Sequence, residues 1–234
     1  MFVPEFVKRF LKKRQMINFY KKFIKSGDLC FDVAANVGER TEIFLKLGAR
    51  VVAIEPQESC IKILKNKFDN NKRVKILKCA IGSIEKEEQL MICDESDECA
   101  TLSSEFISTY TAISGFHWTK NEKVKVTTLD KLFKLYSVPT FCKIDVEGYE
   151  SEVFLGMKQK LRYLAFEFNN PLLRDTRLSL EILKSLGSYQ CNFIKYEIMK
   201  LALNQWLPAD EFQIKLGKII SPDILTGEII VKFL

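Results

Sequence analysis

Three short stretches of the chain bring together residue types that can do chemistry. The first is Phe31-Asp32-Val33-Ala34-Ala35-Asn36-Val37-Gly38, an apolar run that turns through small residues into a helical pattern. Open α/β sheets bind nucleotide-like ligands at such a turn, because Ala34, Ala35 and Gly38 let the backbone come close. A ligand with a cationic amino-acid end calls for an acid beside the turn, and Asp32 supplies one. The plainer alternative is an Asp that caps backbone amides in an ordinary turn. The second stretch is Ile54-Glu55-Pro56. An acid about 20 residues beyond the turn can accept hydrogen bonds from both hydroxyls of a ribose. It marks an adenosine ribose without choosing among cofactors.

The third stretch is Lys143-Ile144-Asp145-Val146-Glu147-Gly148-Tyr149-Glu150. Side chains two apart share a face of an extended segment, so Asp145 and Glu147 can reach one cleft, and Glu167 on the next apolar run can join them. Carboxylates held together can act as a general base toward a hydroxyl. A structural reading stands beside this one, with Lys143 pairing one acid while the others cap a helix. His117-Trp118 adds an aromatic face and a second titratable group to a wall for an acceptor, with a solvated loop as the alternative. Nothing in the pattern requires a metal, although carboxylates of this kind leave Mg²⁺ or Mn²⁺ open.

The elements that must position these residues alternate between strand and helix. Strands are expected at 29–33, 50–55 and 74–80, with helices at 39–47 and 59–68 between them. This spacing is that of βαβ units and implies a parallel sheet with helices on both faces. Further strands are expected at 141–146, 161–168, 191–196 and 228–233, with helices from 129, 149 and 174. Residues 81–139 read as a less regular insertion forming an acceptor wall, with short strands expected at 87–93 and 124–127, and 200–226 are left unplaced. Residues 1–27 read as a basic helix packed on or beside a single domain spanning 1–234, covering an edge of the sheet. Apolar Phe6, Phe10, Ile17 and Phe23 recur through it at roughly helical spacing.

Charge and composition narrow the function. Residues 1–25 hold eight basic side chains against Glu5 alone, a net +7, while the whole chain is +6, so the remainder sums to about −1. A nucleic-acid groove across that near-neutral body has no electrostatic support. The basic helix is of a kind that meets an anionic membrane surface or an acidic partner. No two of the seven cysteines have Cys-x-x-Cys spacing, and His117 is the only histidine, which argues against His-based metal sites and a Ser-His-Asp triad. Reduced structural thiols, with neither a leader nor a spanning segment visible, lead to the expectation of a cytoplasmic protein.

Residues 31–41, Phe-Asp-Val-Ala-Ala-Asn-Val-Gly-Glu-Arg-Thr, resemble the Phe-Asp-Val-Gly-Ala-Asn-x-Gly-x-x-Thr opening of the FkbM-type methyltransferases. Ile54-Glu55-Pro56 resembles the second motif of that family. Thr128-Leu129-Asp130 followed by Lys143-Ile144-Asp145-Val146-Glu147-Gly148 resembles its later signature. The resemblance implies a Rossmann-like class I methyltransferase sheet of seven mostly parallel strands, the last antiparallel, with S-adenosylmethionine as methyl donor. It places Asp32, Ala34, Asn36, Gly38, Thr41, Glu55 and Pro56 at the cofactor, Ala80 near the adenine, and Asp145 and Glu147 beside the transferred methyl. It implies transfer to oxygen, with a sugar or glycan as best acceptor. Nucleic-acid or small-molecule methylation and a non-catalytic adenosyl-binding domain stand as alternatives. A dehydrogenase reading rests on Tyr196-Glu197-Ile198-Met199-Lys200 alone. The sequence departs from the family at Ala34, where Gly is usual. At positive φ, Ala there costs roughly 1–2 kcal/mol.

Overall fold

The computed structural model describes residues 4–196, 198–220 and 224–234. Parts of three expectations fall outside them: the first three residues of the N-terminal helix, Glu197 of the Tyr-x-x-x-Lys string, and 221–223 of the unplaced segment.

The chain opens with helix α1 (Glu5–Tyr20), then alternates β1 (Leu29–Val33), α2 (Glu39–Lys46), β2 (Arg50–Glu55), α3 (Glu58–Phe68) and β3 (Val74–Lys78). β4 (Ala80–Ile81), β5 (Lys86–Ile92), α4 (Ser104–Ser114), β6 (Lys120–Thr127) and α5 (Leu129–Tyr136) follow. The main alternation resumes with β7 (Phe141–Ile144), α6 (Glu150–Leu155), β8 (Tyr163–Asn169), α7 (Leu173–Ser185) and β9 (Tyr189–Lys195). It closes with β10 (Leu207–Pro208), α8 (Ala209–Ile219) and β11 (Thr226–Phe233).

The main sheet runs β10-β9-β11-β8-β7-β1-β2-β3. β1, β2, β3, β7 and β8 pair in parallel, while β11 is antiparallel to both β8 and β9. The sheet has eight strands and not the seven expected, because Leu207–Pro208, from the unplaced segment, adds a short antiparallel edge to β9. α1, α2 and α3 cover one face, and α5 to α8 cover the other. The parallel strands are buried on both sides, which is why they read as unbroken apolar runs.

Three expectations are corrected. The third strand stops at Lys78. After it Ala80 and Ile81 pair instead with Val126 and Thr127 of β6. The stretch 81–139 is more regular than expected: its two short strands join β4 in a second sheet of their own, and α5 packs Leu129, Leu132 and Phe133 into the main core. α1 lies over a face of the sheet and not over an edge. Tyr20 stands edge-on to Phe44 at 5.2 Å and to Phe141 at 5.6 Å, with Met16 and Phe19 buried beside it. Phe6 and Phe10 are 74% and 64% exposed, so the apolar residues of this helix do not form one face. Among the described residues no helix is long and apolar enough to cross a membrane.

Candidate active site

The carboxyl ends of β1, β2, β7 and β8 surround a cleft of about 410 Å³. Asp32, Ala34 and Asn36 line it from the first turn, and Glu55 and Pro56 from the end of β2. Asp145, Glu147 and Glu167 line it from beyond β7 and along β8. A narrow apolar slot of about 30 Å³ adjoins it between Val33, Ile54, Ala80, Leu90 and Leu102. The two spaces share Ala34, Pro56 and Ala100 as wall.

The first turn is clamped to β2. Ala35 donates its N–H to the Ile54 carbonyl at 3.0 Å. Glu55 then accepts from two backbone amides, Asn36 N–H on Oε2 at 2.7 Å and Gln57 N–H on Oε1 at 2.8 Å. To make this turn Ala34 and Asn36 adopt φ of +57° and +47°. Asn accepts the left-handed region more readily than Ala does, so the strain falls on Ala34. Burial lifts the Glu55 carboxyl to about 7 against the pull of its two amide bonds. Each carboxylate oxygen still has a lone pair to offer a hydroxyl.

Gly38 and Thr41 act from behind the cleft. Gly38 starts α2 at φ +81°, and a Cβ there would lie 2.6 Å from Cε2 of Phe68. Thr41 donates its hydroxyl to Oδ2 of Asp32 at 2.6 Å. Burial raises the Asp32 carboxyl, with the Thr41 bond opposing.

Strand register sets the floor. Asp32 lies opposite Lys143, and Glu167 opposite Glu228. Directly opposed residues project to the same side of a sheet, here the side of α1 and α2. Lys143, only 1% exposed, sits 3.0 Å from Oδ2 of Asp145 and 3.7 Å from Oε1 of Glu228, and donates to the Ile144 carbonyl. Arg40 reaches the same Glu228 oxygen at 3.3 Å, and the Tyr20 hydroxyl reaches the other at 3.5 Å. Burial works against the Lys143 charge, but Asp145 and Glu228 outweigh it and hold the ammonium above its ordinary range.

Oxygens of Asp145, Glu147 and Glu167 all lie within 4.8 Å of one another. Such a set can hold a hard cation or meet a hydroxylated molecule. Burial, then the charge of Glu167, pushes the Glu147 carboxyl well above its usual range. Glu167 is raised by burial and then by Asp145. Its oxygens accept from Thr226 Oγ1 at 2.8 Å and Asn169 Nδ2 at 3.1 Å, and Asn169 in turn accepts from the Tyr110 hydroxyl at 2.8 Å. Glu147 stands at φ +53°, its carbonyl held by the Thr101 hydroxyl at 2.7 Å. Strained backbone of this kind persists where surrounding structure fixes it.

The other residues read as acceptor wall are not brought in. Trp118 is buried against Phe106 and Phe116 and donates Nε1–H to the Cys99 carbonyl at 2.9 Å. His117 is exposed and pairs with Glu95 at 3.0 Å. Neither lines the cleft. Sequence reasoning missed Gln57, Arg40, Glu228 and Ala100. Gln57 follows Glu55-Pro56 directly, and Glu228 is a lone acid in an apolar strand, so both carried a signal. Arg40 and Ala100 carried none. Tyr196, of the dehydrogenase string, follows β9 and is 42% exposed.

With the geometry in view, comparison with known proteins is decisive. The FkbM methyltransferase domain matches residues 32–205. The chain belongs to the FkbM methyltransferase family. It is an S-adenosylmethionine-dependent methyltransferase with a class I, Rossmann-like sheet. The matched span of this FkbM chain takes in the cleft carboxylates from Asp32 to Glu167. No curated protein matches it. Solved structures similar to it include fibrillarin of Aeropyrum pernix with natively bound S-adenosyl-L-methionine, at 8% identity, covering 89% of this chain and 68% of that one, TM-score 0.49. They include precorrin-6y C5,15-methyltransferase of Geobacter metallireducens at 9%, covering 94% and 86%, TM-score 0.47. An O-methyltransferase of Bacillus cereus in complex with SAH is similar at 11%, covering 100% and 83%, TM-score 0.46. Likeness at this level concerns fold alone.

The residues present fit the cofactor. Glu55 presents a buried carboxylate for a diol, Ala34 keeps the turn open, and the slot beside Ala80 is apolar and narrow, as a flat base requires.

Proposed function

We propose that this methyltransferase modifies a hydroxyl oxygen, and that its acceptor is a carbohydrate. The observation that carries this reading is the group of three carboxylates, Asp145, Glu147 and Glu167, gathered in the cleft. Carboxylates accept hydrogen bonds, and a polyhydroxylated acceptor offers several donors at once. Bound in the cleft, S-adenosylmethionine supplies a methyl group carried on a positively charged sulfur.

The protein's own part is orientation and proton transfer. Lys143 fixes Oδ2 of Asp145, while Oδ1 has no hydrogen-bond partner among the described residues. The Asp145 carboxylate, held at Oδ2 and lining the cleft, is therefore the group we assign to orienting the acceptor hydroxyl. Asp145, with Glu147 next to it, would take the hydroxyl proton as the oxygen accepts the methyl group and the donor's carbon–sulfur bond breaks, its electrons returning to a neutral sulfur. Glu55 and the first turn hold the donor's adenosine.

The test is transfer of labelled methyl from S-adenosylmethionine to a panel of mono- and oligosaccharides, with RNA and protein acceptors alongside. Label recovered on sugar oxygen supports the reading. Label on RNA, or on nitrogen, sinks it. Asp145→Asn is expected to lower turnover about 10²–10⁴-fold, the usual contribution of a positioned base, while S-adenosylmethionine binding stays near that of the parent.

A further inference from the structure

The first half of α1 presents two chemistries that the methyl-transfer site does not use. Phe6, Phe10 and Leu11 are 74%, 64% and 47% exposed. At 100° per residue they lie about 150° around the helix from Met16, Phe19 and Tyr20, which seat it on the sheet. The apolar stripe thus faces away from the body. Exposed Arg14 falls on this outward side, and exposed Lys21 and Lys22 follow directly after the helix, Lys22 over the ring of Phe19 at 5.6 Å. Arg9, Lys12 and Lys13 fall on the inward side and form part of the cleft lining. Lys12 and Lys13 pair there with Glu39 and Glu42.

We infer that α1 docks this enzyme on an anionic lipid bilayer, with Phe6, Phe10 and Leu11 in the headgroup–acyl boundary and Arg14, Lys21 and Lys22 among the phosphates. A helix lying in that boundary needs an apolar stripe flanked by cations, as here. Charge complementarity selects this occupant. A second copy of the chain would bring two segments of net +7 together. An acidic protein or a nucleic acid would satisfy the cations but leave the aromatic stripe in water. This inference is independent of whether the acceptor is a carbohydrate.

The experiment is vesicle flotation of the full chain with phosphatidylcholine alone and with phosphatidylcholine containing phosphatidylserine. Binding to the anionic vesicles and little to the neutral ones is expected. Phe6→Ala with Phe10→Ala should weaken it at least about tenfold, since the apolar anchor is one of its two signals. Arg14→Gln, Lys21→Gln and Lys22→Gln together should weaken it about a hundredfold, each cation being worth roughly fivefold at such a surface. These side chains are exposed and lie outside the cleft lining, so melting temperature and S-adenosylmethionine binding should match the parent in both variants. Equal flotation with both vesicle types, or variants that float like the parent, would overturn the inference. So would single-stranded RNA retention or self-association that responds to the Phe changes while flotation does not.

Discussion

Glu55→Gln should flatten the dependence of stability on pH, because the fold holds this carboxyl far from its ordinary ionisation. Burial lifts it from 4.5 to about 7. The unfolded chain releases the proton at the lower value, so the folded protein favours the protonated form. The stability this supplies is complete below about pH 4.5 and is lost as pH rises through about 7. At 1.36 kcal/mol per tenfold change, the whole loss is about 3 kcal/mol, and about 1.3 kcal/mol of it falls between pH 6 and pH 8. For a chain of this size that corresponds to about 3–5 °C in melting temperature. The Gln amide turns an N–H₂ toward the Asn36 or Gln57 amide that Glu55 now accepts, which costs about 1–3 kcal/mol at either pH. That cost cancels when the two pH values are compared within one protein. The contributions of Glu147, Glu150 and Glu167, which burial also raises, do change with pH, but equally in both proteins, so they cancel when the parent's loss is compared with the variant's. The assay is thermal melting of both proteins at pH 6 and pH 8. If the parent and Glu55→Gln lose the same number of degrees, the carboxyl is not titrating in this window and the reasoning fails.

Three further changes test the scaffold of the site. Ala34→Gly relieves roughly 1–2 kcal/mol of left-handed strain and gives back about 0.4–1 kcal/mol in backbone freedom, so melting should rise by about 1–2 °C. Gly38→Ala combines φ +81° with a Cβ 2.6 Å from the Phe68 ring. A loss of about 2–4 kcal/mol on urea denaturation is expected. Lys143→Met leaves Asp145 without its 3.0 Å partner and Glu228 with Arg40 and Tyr20 only. A loss of about 3–5 kcal/mol by the same measurement is expected.

How far the sequence revealed the molecule depended on how local each signal was. Arg50–Glu55 and Leu129–Tyr136 begin and end where pattern placed them. The first is a strand with an apolar middle, Val51 to Ile54, stopped by Pro56. The second is opened by Thr128, whose hydroxyl accepts from the Lys131 amide at 3.2 Å. Short motifs at strand ends were readable for the same reason, since a turn and its acid sit within a few residues. β10 and α8 were not placed, because a two-residue strand has no period and pairing with Cys191 and Gln190 supplies what pattern cannot. Trp118 was misjudged because its burial depends on Phe106 and the Cys99 carbonyl, which spacing around residue 118 does not show.

The buried charges explain why the floor of the site was the hardest part to foresee. Lys143 in an apolar strand reads as a cost, since an unpaired ammonium there would be expelled or neutralised. It is retained because Asp145 beyond β7 and Glu228 on β11 face it, and together they outweigh the repulsion of Arg40 on α2, which shares Glu228. Glu228 is the joint among them, and the Tyr20 hydroxyl ties it to α1 as well. The Lys143–Asp145 pairing is local, two residues apart, but the pairings of Glu228 lie beyond any sequence window and are fixed only once β11 inserts antiparallel between β8 and β9. The last strand therefore does more than close the sheet. By carrying Glu228 to Lys143 it helps fix the ammonium that holds Oδ2 of Asp145 at the cleft wall.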